Sequence, residues 1–194
     1  MTTDTPHTNL TEHTVASEVM VKGSFLEIRR DTVRLPDGST ALREYVVHPG
    51  AVVVVPMLDD GSLVMERQFR YPIQRAMLEF PAGKLDAGEG ALRCGVRELY
   101  EETGYSAAEW AYGGEIHLAI SYSTEVIHVY FARGLREGER KLDEGEFLDV
   151  FAMQEADFFQ ACVDGRITDA KTLACAMRLR AVRDGSMPLE WAAA

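Results

Sequence analysis

GKLDAGEGALRCGVRELYEETGY, residues 83–105, is the stretch that decides the fold. Between Ala91 and Thr103 the apolar positions Leu92, Val96 and Leu99 recur at spacings of four and three, which predicts a helix with one buried face. At about 100° per residue, Glu98, Glu101 and Glu102 then gather on a different face. Like charges three and four residues apart repel in an isolated helix, so such a trio costs stability unless a cation offsets it. Carboxylate oxygens are hard ligands and suit Mg²⁺ or Mn²⁺.

The 194-residue chain is 46 % hydrophobic, enough for one domain with a substantial core. A net charge of −11 argues against nucleic acid or an anionic membrane as partner, because both need clustered Lys and Arg. An acidic protein still binds a phosphate ester where divalent cations invert the local field. Cys94, Cys162 and Cys175 form no C-x-x-C pair, and their odd number leaves no complete disulfide set, so a reducing cytoplasm is expected and all three read as structural thiols. No apolar run approaches roughly 18 residues, and the N-terminus lacks a basic start followed by an apolar stretch. A soluble, unprocessed protein is expected.

Residues 1–17 are Thr-rich with few apolar positions and read as a disordered or loosely attached lead-in, His7 and His13 included. Residues 18–194 read as a single domain. Val19 to Leu35 is extended, and Pro36-Asp37-Gly38-Ser39 turns it back into Ala41 to His48, giving an antiparallel strand pair. The β-branched run Val52 to Val55 predicts a strand buried on both faces, and Leu63 to Tyr71 and Met77 to Pro81 predict two more. Past Gly104, strands are expected over Trp110–Ala119, Glu125–Ala132 and Phe147–Met153, with a charged loop over Leu135–Glu146. Gln154–Val163 and Asp169–Arg183 read as helices, the second with an apolar stripe of Leu173, Ala174, Met177 and Ala181.

Taken together, Gly83, Glu89, Arg97-Glu98-Leu99, Glu101-Glu102 and Gly104 at these spacings resemble the Nudix box of the Nudix hydrolases. So many fixed positions would match by chance only on the order of 10⁻⁸ per starting residue at average usage. The one departure is Tyr105, where the family usually has an aliphatic residue. The resemblance spans roughly Ala41 to Arg183 and implies an α+β Nudix fold: a mixed β-sheet sandwiched between helices in α/β/α layers, preceded by the N-terminal strand pair. It also implies hydrolysis of a nucleoside diphosphate linked to another group, using Mg²⁺ or Mn²⁺. By position, Glu98 and Glu102 are implied metal ligands together with the Ala82 carbonyl, and Glu101 is a ligand or positions the water. Arg97 braces Glu101 from one turn away, and Glu89 sits near the helix N-terminus, where negative charge is favourable. A glutamate from the loop before the last strand is implied as general base or further ligand. Glu144 and Glu146 both match that place, and spacing does not choose between them.

Three further segments, Arg67-Gln68-Phe69-Arg70, Glu79-Phe80-Pro81-Ala82-Gly83 and Tyr122-Ser123-Thr124-Glu125, resemble those of ADP-ribose pyrophosphatases. On that resemblance Arg70 holds a phosphate, Glu79 accepts hydrogen bonds from the ligand, and the strands of 19–48 build an adenosine pocket across a homodimer with Arg43 and Glu44 as pocket residues. Ile120 stands where those enzymes often carry Pro. Another nucleoside diphosphate sugar is the alternative substrate, and a catalytically inactive ligand sensor is the alternative role. The complete glutamate set and the absence of a basic DNA-binding segment argue against the sensor.

Overall fold

The computed structural model describes residues 10–142 and 145–194. The chain divides into two compact units, one of the residues up to His48 with Ala119–Glu125, the other Pro49–Leu118 with Val126–Ala194. The sequence reading of one domain over 18–194 did not separate them.

In the N-terminal unit, β1 (His13–Lys22), β2 (Glu27–Arg34) and β3 (Thr40–Val47) form an antiparallel sheet in that order. The expected pair is β2–β3, in register from Glu27 opposite Val47 to Arg34 opposite Thr40. One correction concerns β1, which begins inside the stretch read as a lead-in: His13 pairs with Arg34 and Ser17 with Asp31. Cross-strand backbone pairing orders this strand although every residue of β1 is exposed. The Ala119–Glu125 segment joins this unit through Val46, whose N–H donates to the Tyr122 carbonyl at 2.8 Å.

The larger unit holds two sheets. β4 (Ala51–Pro56) lies between β7 (Ala82–Lys84) and β9 (Ile127–Glu137), with β8 (Tyr105–Ile116) beyond β9; only β4–β9 is parallel. The second sheet is β10 (Leu148–Met153), β5 (Leu63–Arg70) and β6 (Arg75–Glu79), antiparallel throughout. The sequence reading took Met77–Pro81 as one strand; the chain instead leaves one sheet at Glu79 and enters the other at Ala82, with Pro81 between them unable to donate to a ladder.

β4 is buried on both faces, as its composition predicts. Val52 and Val54 pack against α1 (Ala91–Thr103) with Cys94, Leu99 and Trp110. Val53 and Val55 point the other way, into a core shared with Met65, Phe80, Val129 and Phe131 and with Phe158 of α2 (Glu155–Val163) and Leu179 of α3 (Ala170–Arg183). Helices therefore cover the mixed sheet on both sides.

Two helical faces differ from their expected ones. In α1, Val96 is exposed, and the buried residues are Cys94, Gly95, Leu99, Glu102 and Thr103. Gly95 explains the rotation: a Cβ there would meet Val52 Cγ1 at 3.1 Å, so the missing side chain lets the helix close on β4. Glu102 is thereby carried inward. In α3 the inner face is Lys171, Thr172, Cys175, Ala176 and Leu179, while Met177 is exposed. Lys171 and Thr172 are buried because each has a partner: Lys171 bonds Glu79 and Asp169, and Thr172 bonds the N-cap Asp169 and the Phe80 N–H.

Candidate active site

The site forms where α1 meets the turn from β6 into β7. Its tightest fit is at Gly83: a Cβ on that residue would lie 1.8 Å from Glu98 Oε1. The Glu98 carboxylate thus sits directly over bare backbone. Arg97 then ties the outer carboxylates together, donating to Glu89 at 2.8 Å, Glu98 at 2.8 Å and Glu101 at 3.1 Å. The expected brace on Glu101 is present and extends to two more glutamates. Glu89 also accepts from the Asp86 N–H at 3.1 Å; the hydrogen bond from Arg97 and that contact pull its carboxyl down to about 2.

Glu102 lies deeper, 3 % exposed, and accepts from the Ala82 N–H at 3.0 Å. Burial pushes its carboxyl well above the ordinary range, and the negative charges of Glu66, Glu98 and Glu146 push the same way. Burial also raises Glu98, with Arg97 opposing. Glu146 reaches the group from the loop before β10, and its Oε1 accepts from Gln68 Nε2 at 3.2 Å. Glu144 lies outside the described residues.

Glu79 has a different setting from the one expected. It is 1 % exposed, and its two oxygens take Arg70 Nε at 2.7 Å, Arg70 Nη2 at 2.6 Å and Lys171 Nζ. Burial alone would raise this carboxyl, yet Arg70 and Lys171 outweigh it and hold it low. Besides the expected role as an acceptor for ligand, Glu79 fixes Arg70, which remains partly exposed. Arg43 and Glu44 belong to the N-terminal sheet, where Arg43 pairs with Glu12 at 2.5 Å and Glu44 with Arg30 at 2.6 Å.

Among the described residues no three His, Cys, Asp or Glu side chains close on a single point. The carboxylates are held by protein donors instead: Arg97 for Glu98 and Glu101, the Ala82 N–H for Glu102, Gln68 for Glu146. Their chemistry nonetheless fits a hard divalent cation. All are oxygen donors, Glu102 is buried among like charges, and residue 83 has given up its side chain to seat Glu98. Cys94 is buried, and its thiol is pushed up to about 12 by burial first and then by Glu98, so it is no nucleophile.

A family model described as the NUDIX domain matches residues 47–176. The chain belongs to the Nudix hydrolase family. A second model, described as the nucleoside diphosphate sugar hydrolase N-terminal domain, matches residues 12–46, which are the β1–β3 sheet. An ADP-ribose pyrophosphatase of Bacillus subtilis is 37 % identical over 166 residues, 84 % of this chain and 90 % of that protein. A methanol dehydrogenase activator of Bacillus methanolicus is likewise 37 % identical, over 84 % of this chain and 89 % of that one. A crystal structure of an ADP compounds hydrolase superposes with a TM-score of 0.81 over 91 % of this chain and 97 % of the other, at 22 % identity, which is a likeness of fold. The Nudix helix is α1, and Tyr105 in place of an aliphatic residue packs half-buried against the α1 side of the sheet.

Two residues of this Nudix site escaped the sequence reading. Glu66 is fully buried in β5, and Lys171 is 8 % exposed in α3. The signal for Glu66 was the alternation Val64, Glu66, Gln68, Arg70, which turns one face of a core strand polar. Lys171 had none beyond its place one turn before Cys175. Among the described residues no helix is long and apolar enough to cross a membrane.

Proposed function

We propose that this Nudix hydrolase cleaves the diphosphate linkage of ADP-ribose, giving AMP and ribose 5-phosphate, with Mg²⁺ as its cation and Mn²⁺ as a substitute. The observation that carries the reading is the Glu98 carboxylate seated over a residue-83 backbone that leaves room for no side chain, on the same helix as the buried Glu102, whose carboxyl the negative charges of Glu98 and Glu146 also raise. The relative named as an ADP-ribose pyrophosphatase, alike over most of both chains, supports the choice of substrate.

In this reading Glu98, Glu102 and the Ala82 carbonyl hold the cation, with Glu101 and Glu146 as further ligands. The cation, when bound, supplies charge neutralisation of the diphosphate and lowers the pKa of water at the site. Arg97 keeps Glu98 and Glu101 in place when the charges around them change. Arg70, fixed by Glu79, is a preorganised donor for a phosphate oxygen. Water attacks phosphorus, the bridging P–O bond breaks, and a carboxylate takes the proton of the attacking water. We assign that proton to Glu146, which Gln68 orients; Glu144 is the alternative from the same loop.

In the same reading Arg43 and Glu44 bind substrate, and the protein is a homodimer in the cytoplasm. Supporting the dimer, β1 exposes Val15, Val19, Met20 and Val21, each 42–53 % accessible, along an edge strand. The test is a panel of ADP-ribose, GDP-mannose and UDP-glucose assayed with Mg²⁺, with products separated by chromatography and mass measured by light scattering. AMP and ribose 5-phosphate released fastest from ADP-ribose by a dimer is the expected result. Preference for another nucleotide sugar would overturn the substrate, turnover of none would favour a sensor, and a fully active monomer would remove the dimer.

A further inference from the structure

Glu66 has no part in the ligand set implied by the Nudix box, and its surroundings call for one. It is 0 % exposed, and both of its carboxylate oxygens are buried with no hydrogen-bond partner among the described residues. Burying a carboxylate in that way is among the costliest placements a chain can make, and an apolar residue of equal volume would fold better. The cations beside it do not bond it: Arg70 donates to Glu79 and Lys171 to Glu79 and Asp169, and Glu79 pairs with Glu66 across β5 and β6.

The direction of the side chain is fixed by the strand. Glu66 shares a face of β5 with Gln68, two residues on, and Gln68 bonds Glu146 of the site. Glu102 on α1 is raised by the negative charge of Glu66 ahead of that of Glu98 and Glu146. Two buried glutamates, one on the sheet and one on the helix, thus lie near enough to repel each other.

We infer that Glu66 is a cation-binding carboxylate, opposing Glu102 across the inner end of the Nudix site and giving a divalent cation a seat on the β5 side of the helix. The inference rests on the proposed cation site but assigns to it a residue from a different element. A cation at that place would satisfy both orphaned oxygens of Glu66 and remove the repulsion with Glu102 in a single step.

The experiment titrates Mn²⁺ into the full-length, substrate-free protein and follows free Mn²⁺ by electron paramagnetic resonance. It compares wild type with Glu66→Gln, with Glu66→Met, which keeps the volume without any oxygen, and with Glu98→Gln. Fold is checked for each by circular dichroism in EDTA. Expected is a loss of at least about tenfold in Mn²⁺ affinity, or of one bound ion, in both Glu66 variants as well as in Glu98→Gln. Unchanged binding in the Glu66 variants with weakened binding in Glu98→Gln would overturn this inference and leave the proposed site standing. Unchanged binding in Glu98→Gln would overturn the proposed site itself. If both Glu66 variants fail to fold in EDTA, Glu66 is a folding residue and the inference falls.

Discussion

The Glu98 carboxylate occupies the space a side chain on residue 83 would need, with Oε1 only 1.8 Å from where a Cβ of Gly83 would stand. Gly83 does not have a positive φ, so what its position demands is room rather than a special backbone conformation.

Gly83→Ala is therefore expected to fold and to fail as an enzyme. The methyl group must push Glu98 aside, and a displacement of about 1 Å at a reacting centre costs on the order of 10²-fold in rate. Turnover of ADP-ribose, with circular dichroism as the control for fold, checks this. Near-normal kcat in a folded Ala variant would mean that the seat of Glu98 does not matter.

Glu98→Gln and Glu102→Gln should each keep the fold, because an amide preserves the volume and Gln at 102 can still accept from the Ala82 N–H. Each should lose more than about 100-fold in kcat, since even residues that only orient ligands are worth about 10- to 100-fold. Arg97→Gln should show the smaller loss, as it removes the brace and leaves every carboxylate. Full Mg²⁺-dependent turnover in both glutamate variants would remove the metal-site assignment.

The Nudix helix was legible because its signal is local: a capped run from Ala91 to Gly104, closed by a glycine at φ 78°. β4 was legible for the same kind of reason, a β-branched run too short for a helix. What could not be read was which face of α1 turns inward, because Gly95 has no hydrophobic signature and its contribution is a close approach to Val52 that exists only in the folded chain. The ion pair that Glu79 makes was not legible because its partner Lys171 lies 92 residues away in sequence. Glu66 is hidden in the same way: a strand pattern shows that it turns inward and gives no hint of the carboxylates it meets there.

For the general base, Glu146→Gln is expected to lower kcat by about 10²- to 10⁴-fold with KM little changed. Gln68→Ala should show a weaker loss in the same direction, since it releases the Glu146 carboxylate from its 3.2 Å hydrogen bond. Glu144→Gln should stay within a few-fold of wild type. The reverse ranking of Glu144 and Glu146 would move the base to Glu144, and two near-normal variants would place it outside this loop.

The last prediction concerns the protein stripped of metal. Glu66 is held up to about 8 by burial and then by Glu79, and Glu102 is raised by burial and then by Glu66, so the folded state keeps protons that the unfolded chain releases near 4.5. Where the native state binds more protons, stability falls as pH rises, by at most about 1.4 kcal/mol per pH unit for each such group. The loss begins above the unfolded carboxylate value and, for Glu66, is complete once the pH passes about 8. Carboxylates with lowered values, such as Glu89 at about 2, add their pH dependence below that window. Melting in EDTA should therefore occur at lower temperature at pH 8 than at pH 5.5, and Glu66→Gln should flatten the slope while raising the melting temperature at pH 8. Added Mg²⁺ should restore most of the wild-type loss at pH 8, because a bound cation favours the ionised carboxylates that stripped protein must bury unpaired. A melting temperature in EDTA that rises steadily from pH 5.5 to 8 would show that these carboxylates are not strained by their neighbours, and with that the electrostatic reason for a cation at this site would be gone.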